Sequence, residues 1–141
     1  MPTLDDAILL AAQAHRGQKD KVGAPYILHP LRVMLRLKTE EEMMVAVLHD
    51  VVEDSAYTLA DLERAGFPPH VMEAVDCLTR REGETYEAFI ERLKPNPLAR
   101  RVKLADLEDN LDIRRLPQLG EKDFERLQRY RRAWASLTSD E

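Results

Sequence analysis

Residues 40–54 read EEEMMVAVLHDVVED, and this stretch decides the fold. Its apolar residues (Met44, Val45, Val47, Leu48, Val51, Val52) recur at steps of three and four, the spacing of a helix. At about 100° per residue they cover most of the circumference, leaving His49, Asp50, Glu53 and Asp54 in one arc of roughly 140°. A helix apolar on nearly every side is usually buried, so its polar arc would open into a cleft. Carboxylates buried without a partner must bind a cation or shift their pKa, and a divalent metal satisfies several at once. The competing reading is an ordinary amphipathic helix with its charged arc in water. This helix alone does not separate the two.

The pattern continues outward on both sides with little strict alternation, so the chain reads as all-α. Thr3 with Asp6 opens a helix to about Arg16, and Thr58 with Asp61 opens a shorter one that Gly66 stops. Residues 17–26, with Gly23 and Pro25, form a loop before a short helix from Pro30 to about Leu37. Pro68-Pro69 begins a helix through Val71, Val75 and Leu78. Thr85 to Lys94 places Tyr86, Phe89, Ile90 and Leu93 on one face. Asn96-Pro97 caps and starts a helix to about Arg115. Phe124, Leu127, Tyr130 or Arg131, and Trp134 mark a last amphipathic helix. The expectation is a single-domain helical bundle of seven or eight helices over residues 1–141.

The helix after Pro97 adds to the candidate site. Arg101, Glu108 and Asp112 share one side, whereas Asp106 lies opposite, beside Asn110 and near Val102 and Ile113. An aspartate on the dry side of a helix needs a partner. Lys103 or Arg114 could supply it, and so could a metal. His29, next to Pro30 at a loop-to-helix junction, is either a third metal-site candidate or a capping or surface histidine. Two histidines and two aspartates form a mixed nitrogen and oxygen set suited to Mn²⁺, Fe²⁺ or Zn²⁺. His15, on the apolar side of the first helix, reads as a structural histidine, His70 as a surface one, and Cys77 as a core residue.

Composition narrows the function classes. Apolar residues make up 44% and charged residues 33% of 141, ordinary values for a globular protein. No apolar run approaches the roughly 20 residues of a membrane span. Neither a secretory signal nor a cysteine pair is present, which points to a reducing, cytoplasmic setting. A net charge of −5 speaks against non-specific nucleic-acid binding but leaves room for a small anionic substrate near local cations. A homo-oligomer is compatible with the sequence, since any helix face could serve it.

The adjacent His49-Asp50 pair resembles the signature of the HD-domain metal-dependent phosphohydrolases. AHRGQKDKVGAPYILHP at 14–30, AVLHDVVEDS at 46–55 and VKLADLEDN at 102–110, in that order, resemble the (p)ppGpp hydrolase domain of the RelA/SpoT enzymes and small alarmone hydrolases. The resemblance implies that His29, His49, Asp50 and Asp106 hold a divalent metal, Mn²⁺ by preference. It implies that Glu53 and Asp54 orient and deprotonate the attacking water, and that Lys21 and Asn110 bind the nucleotide substrate. The implied reaction removes the 3′-diphosphate of guanosine tetra- or pentaphosphate as pyrophosphate. Where the family pattern reads ADRLHNMRT this chain has ADLEDNLDI, so Leu107, Asp109, Asp112 and Ile113 depart from it; Asp20 also replaces a usual arginine. These departures keep two other readings open: a phosphohydrolase of another nucleotide or phosphorylated cofactor, and a non-catalytic nucleotide-binding regulatory domain.

Overall fold

The computed structural model of the chain describes residues 1–139. These residues form nine α-helices: α1 Leu4–Ala14, α2 Leu28–Leu35, α3 Glu40–Leu48, α4 Val51–Asp54, α5 Leu59–Arg64, α6 Pro69–Cys77, α7 Tyr86–Leu93, α8 Pro97–Asn110 and α9 Glu121–Thr138. A 3₁₀ turn, Ile113–Arg115, follows α8. All eight expected helices are present, and the ninth arises because the expected helix over 40–54 is broken into α3 and α4. The helix expected to reach Arg115 stops at Asn110, and the first ends at Ala14 rather than Arg16. No helix among the described residues is long and apolar enough to cross a membrane.

The helix starts are capped by side-chain oxygens, at Thr3 and Thr58 as expected and at Thr39 in addition. Thr3, Thr39 and Thr58 each accept from the backbone N–H three residues on, and Asp6, Glu42 and Asp61 return the bond. Thr85 and Asn96 cap α7 and α8, with Pro97 at the first helical position. Gly66 ends α5 at φ +91°, a conformation that a β-carbon disfavours. Glu42 is tied further: it accepts from the Lys38 and Thr39 N–H groups and from Arg101 of α8. Thr39→Ala is expected to lower the unfolding free energy by about 1 kcal/mol, read as a fall in urea midpoint at unchanged slope.

Helix α3 is the central element and packs against α1, α2, α6 and α8. Met44, Val45, Ala46, Val47 and Leu48 are all buried, as a helix apolar on nearly every side requires. Around it close Ala7 and Ala11 of α1, Val33 of α2, Val71 and Val75 of α6, and Leu98, Val102 and Leu107 of α8. Because α2, α3 and α8 touch one another pairwise, polar residues on their facing ends meet at one point. Two apolar residues fall outside the core, contrary to expectation. Phe124 is exposed in the first turn of α9, whose buried contacts come from Ala133 and Leu137, and Ile113 is exposed because α8 has already ended.

The break between α3 and α4 has a local cause. In a continuous helix the Ala46 carbonyl would accept from the Asp50 N–H. Here His49 Nδ1 takes it at 2.5 Å, joined by the His49 N–H. A side chain competing for a ladder carbonyl interrupts the helix. The ladder resumes with Asp54 N–H to Asp50 O at 2.9 Å.

Candidate active site

The candidate metal residues come from separate segments and converge. His29 lies in the first turn of α2, His49 and Asp50 at the α3–α4 break, and Asp106 in α8. Asp106 Oδ1 is 2.8 Å from His29 Nε2 and 3.4 Å from His49 Nε2. Asp50 Oδ2 lies 3.2 Å from His49 Nε2 and 3.9 Å from His29 Nε2. His29, His49 and Asp106 are buried, and Asp50 nearly so.

Both imidazoles are aimed by the nitrogen facing away from the cluster. His49 Nδ1 meets the Ala46 carbonyl, and His29 Nδ1 meets Asp109 Oδ2 at 2.7 Å. Each therefore turns Nε2 inward. His49 Nε2 is buried and makes no well-formed hydrogen bond, although two carboxylate oxygens face it. Ligands held at about 2.1 Å from one ion stand roughly 3.0–3.4 Å apart, close to the separations found here. The donor set, the spacing and the unpartnered nitrogen fit a divalent metal.

Charges within the cluster are mutually set. Burial works against a charged His29, but its hydrogen bonds to Asp106 and Asp109 outweigh that and raise its pKa to about 9. Burial of His49 is likewise outweighed, by the charge of Asp50 and by the Asp106 carboxylate that faces it. Burial also opposes charge on Asp50, but His49 overrides it and holds the carboxyl at about 2. Asp106 is held well below the carboxylate range, chiefly by Lys103 and the two histidines against its burial.

Several supporting residues carry no mark in the sequence that singles them out. Tyr26 donates its phenol to Asp50 Oδ2 at 2.6 Å, and burial together with that carboxylate keeps the phenol protonated. Lys103 donates to Asp106 Oδ2 at 2.8 Å, with its ammonium 5.3 Å and 5.6 Å from the Phe89 and Tyr86 ring centres. The sequence offers Lys103 only as a competitor of the metal for Asp106, yet the bond leaves Asp106 Oδ1 facing both histidines. Arg114, the other competitor, pairs with Asp112 instead. Gln18 bridges His15 Nδ1 and the Asp54 carbonyl, at 2.9 Å and 2.8 Å.

His29, Asp50 and Asp106 line the floor of a cleft of about 450 Å³, within the usual range for small-molecule sites. Glu53 and Asp54 stand on its rim beside Asp50, with the three carboxylates within 4.8 Å of one another. Glu53 is anchored by the Arg80 N–H, which donates to Oε1 at 2.8 Å. Lys21 and Asn110 also face the cleft, as do Arg32, Arg115 and Arg126. Asn110 Nδ2 lies 3.4 Å from Asp106 Oδ1. Burial, Asp50 and Glu53 together push the Asp54 carboxyl up to about 6. The metal-free protein is expected to show an Asp54 carboxyl ¹³C titration midpoint near 6. A bound dication favours the carboxylate, so metal loading should move that midpoint down; an upward shift would contradict the placement of Asp54 beside the metal position.

His29, Asp50, Asp106, Glu53, Asp54, Lys21 and Asn110 thus line one cleft, and His49 reaches the group from the buried side through Asp50 and Asp106. A "GTP pyrophosphokinase" of Streptomyces coelicolor is 35% identical over 121 residues, 77% of this chain. A guanosine-3′,5′-bis(diphosphate) 3′-pyrophosphohydrolase of Aquifex aeolicus is 32% identical over 113 residues, 72% of the chain. The bifunctional (p)ppGpp synthase/hydrolase SpoT of Escherichia coli K12 is 32% identical over 123 residues, 77% of the chain. A solved structure of a metazoan SpoT orthologue that hydrolyses ppGpp superposes with a TM-score of 0.79 at 25% identity, over 99% of this chain and 88% of its own. The chain is a relative of the SpoT-type hydrolases. No family model matches it, and it spans only 14–17% of the length of those three curated relatives.

The residues that depart from the hydrolase pattern are mostly occupied within the fold. Leu107 is wholly buried in the core, and Ile113 points to solvent. Asp109, also wholly buried, lies beneath His29. Asp20 and Asp112 border the cleft, but both are engaged locally. Asp20 Oδ1 accepts from the Val22 and Ala24 N–H groups at 3.0 Å and 2.9 Å, closing its own loop, and Asp112 is held by Arg114.

Proposed function

We propose that residues 1–141 form one metal-dependent phosphohydrolase domain that removes the 3′-diphosphate of ppGpp or pppGpp as pyrophosphate. The observation that carries this reading is the convergence of two imidazole nitrogens and two carboxylates beneath a cation-lined cleft with two further carboxylates on its rim. His29, His49, Asp50 and Asp106 would hold the metal, with Mn²⁺ the leading candidate for a mixed imidazole and carboxylate set. Such a cation lowers the pKa of water and screens phosphoryl oxygens.

The chain's own residues supply the remaining work. Glu53, fixed by the Arg80 N–H, orients the attacking water, and the neighbouring Asp54 receives its proton. The water oxygen bonds to the phosphorus that carries the ribose 3′ oxygen. The bond from that phosphorus to the 3′ oxygen breaks, pyrophosphate departs, and the 3′ oxygen takes a proton from solvent. Lys21 and Arg126, at the cleft wall, offset the substrate's negative charge, and Asn110 offers an amide to sugar or phosphate.

Purified protein given Mn²⁺ and ppGpp should release pyrophosphate and GDP, resolved by anion-exchange chromatography. Turnover of other nucleotides but not ppGpp would replace the alarmone with another substrate. Absence of turnover of any nucleotide with any divalent metal would leave a binding domain.

A further inference from the structure

Asp109 is completely buried, yet His29, Arg32, Arg36 and Arg115 all converge on it. Its Oδ2 faces His29 Nδ1 at 2.7 Å, and its Oδ1 accepts from Arg32 Nε at 2.9 Å. Arg115 adds longer contacts to both oxygens, at 3.4 Å to Oδ1 and 3.5 Å to Oδ2. The two short contacts thus fall on different oxygens. Oδ2 meets the imidazole nitrogen turned away from the cluster, and Oδ1 meets the Arg32 guanidinium, which borders the cleft.

We infer that Asp109 is a positioning residue: Oδ2 fixes His29 with its proton on Nδ1 and its Nε2 toward the metal position, while Oδ1 holds Arg32 at the cleft wall. The inference rests on the proposed metal role of His29. An imidazole that binds metal through one nitrogen commonly donates the other N–H to a carboxylate, which sets the tautomer and strengthens the ligand. The burial of Asp109 sharpens the effect, because few other acceptors can replace it there. An asparagine in its place has one acceptor oxygen and one donor amide, so it can serve His29 or Arg32 but not both.

The test compares wild type with Asp109→Asn by Mn²⁺ titration calorimetry, which needs no substrate. The variant is expected to bind Mn²⁺ about 10–100-fold more weakly, with its helical circular dichroism retained. Equal affinity in the two proteins would overturn the inference while leaving the metal site standing. Absence of Mn²⁺ uptake by wild type would overturn both. Should Asp109→Asn fail to fold, long-range ¹H–¹⁵N correlation of Zn²⁺-loaded wild type decides. A proton on His29 Nδ1 with a metal-shifted Nε2 supports the inference, and a proton on Nε2 or metal on Nδ1 overturns it.

Discussion

Asp50→Ala is expected to lose the divalent metal and hydrolytic turnover together. Asp50 Oδ2 faces both inward-turned imidazole nitrogens and receives the Tyr26 phenol. Its removal leaves two histidines, one carboxylate and a phenol without its acceptor. Loss of an outer partner weakens a metal site by about 10–100-fold, so loss of a direct ligand should exceed about 100-fold. Titration calorimetry with Mn²⁺ measures this, and pyrophosphate release from the same preparation measures turnover. Wild-type affinity or full activity in Asp50→Ala would refute the site.

The same titration carries a pH signature in the wild type. His29, with a pKa near 9 in the metal-free protein, is protonated at neutral pH and must lose a proton to become a ligand. Metal uptake at pH 7 should therefore release protons, seen as a buffer-dependent binding heat. Apparent affinity should rise as pH climbs toward 9. The sign is fixed because protons and metal compete for the same nitrogen.

How far this arrangement is legible in the sequence follows from what each residue depends on. Burial of α3 can be read from its apolar circumference, and the helix starts from Thr3, Thr58 and Asn96, since caps are local chemistry. The dry side of α8 correctly singles out Asp106, because an aspartate opposite Arg101 and Glu108 has to face inward. The break at His49 is not legible: it depends on a side-chain nitrogen capturing a carbonyl within its own turn. The roles of Tyr26 and Asp109 are hidden for a related reason. Their partners lie 24 and 80 residues away, and neither spacing nor polarity specifies such pairs. A signal for Asp109 does exist, three residues beyond Asp106 on the inward side of α8, but its difference from the family pattern points first to substrate choice. Leu107 teaches the converse, since its difference lies in the core and touches no cleft surface.

The role proposed for Glu53 separates binding from chemistry. Glu53→Gln keeps the size of the side chain and an oxygen that can accept from the Arg80 N–H, so the α4 geometry should survive. Glu53 is exposed on the cleft rim, outside the four convergent donors. Metal affinity should therefore stay near wild type. With its one oxygen taken by the Arg80 N–H, the amide has no second acceptor to orient the water and no charge to support Asp54 as that residue takes the proton. A positioned acid–base group contributes about 10²–10⁴-fold, so kcat should fall within that range with little change in KM. Loss of the Glu53 charge should also lower the Asp54 pKa, because Glu53 is one of the groups that raise it. A fall in metal affinity as large as that of Asp50→Ala would instead make Glu53 a ligand. Unchanged kcat would remove it from the water-activating pair, leaving Asp54 to orient and deprotonate the water alone.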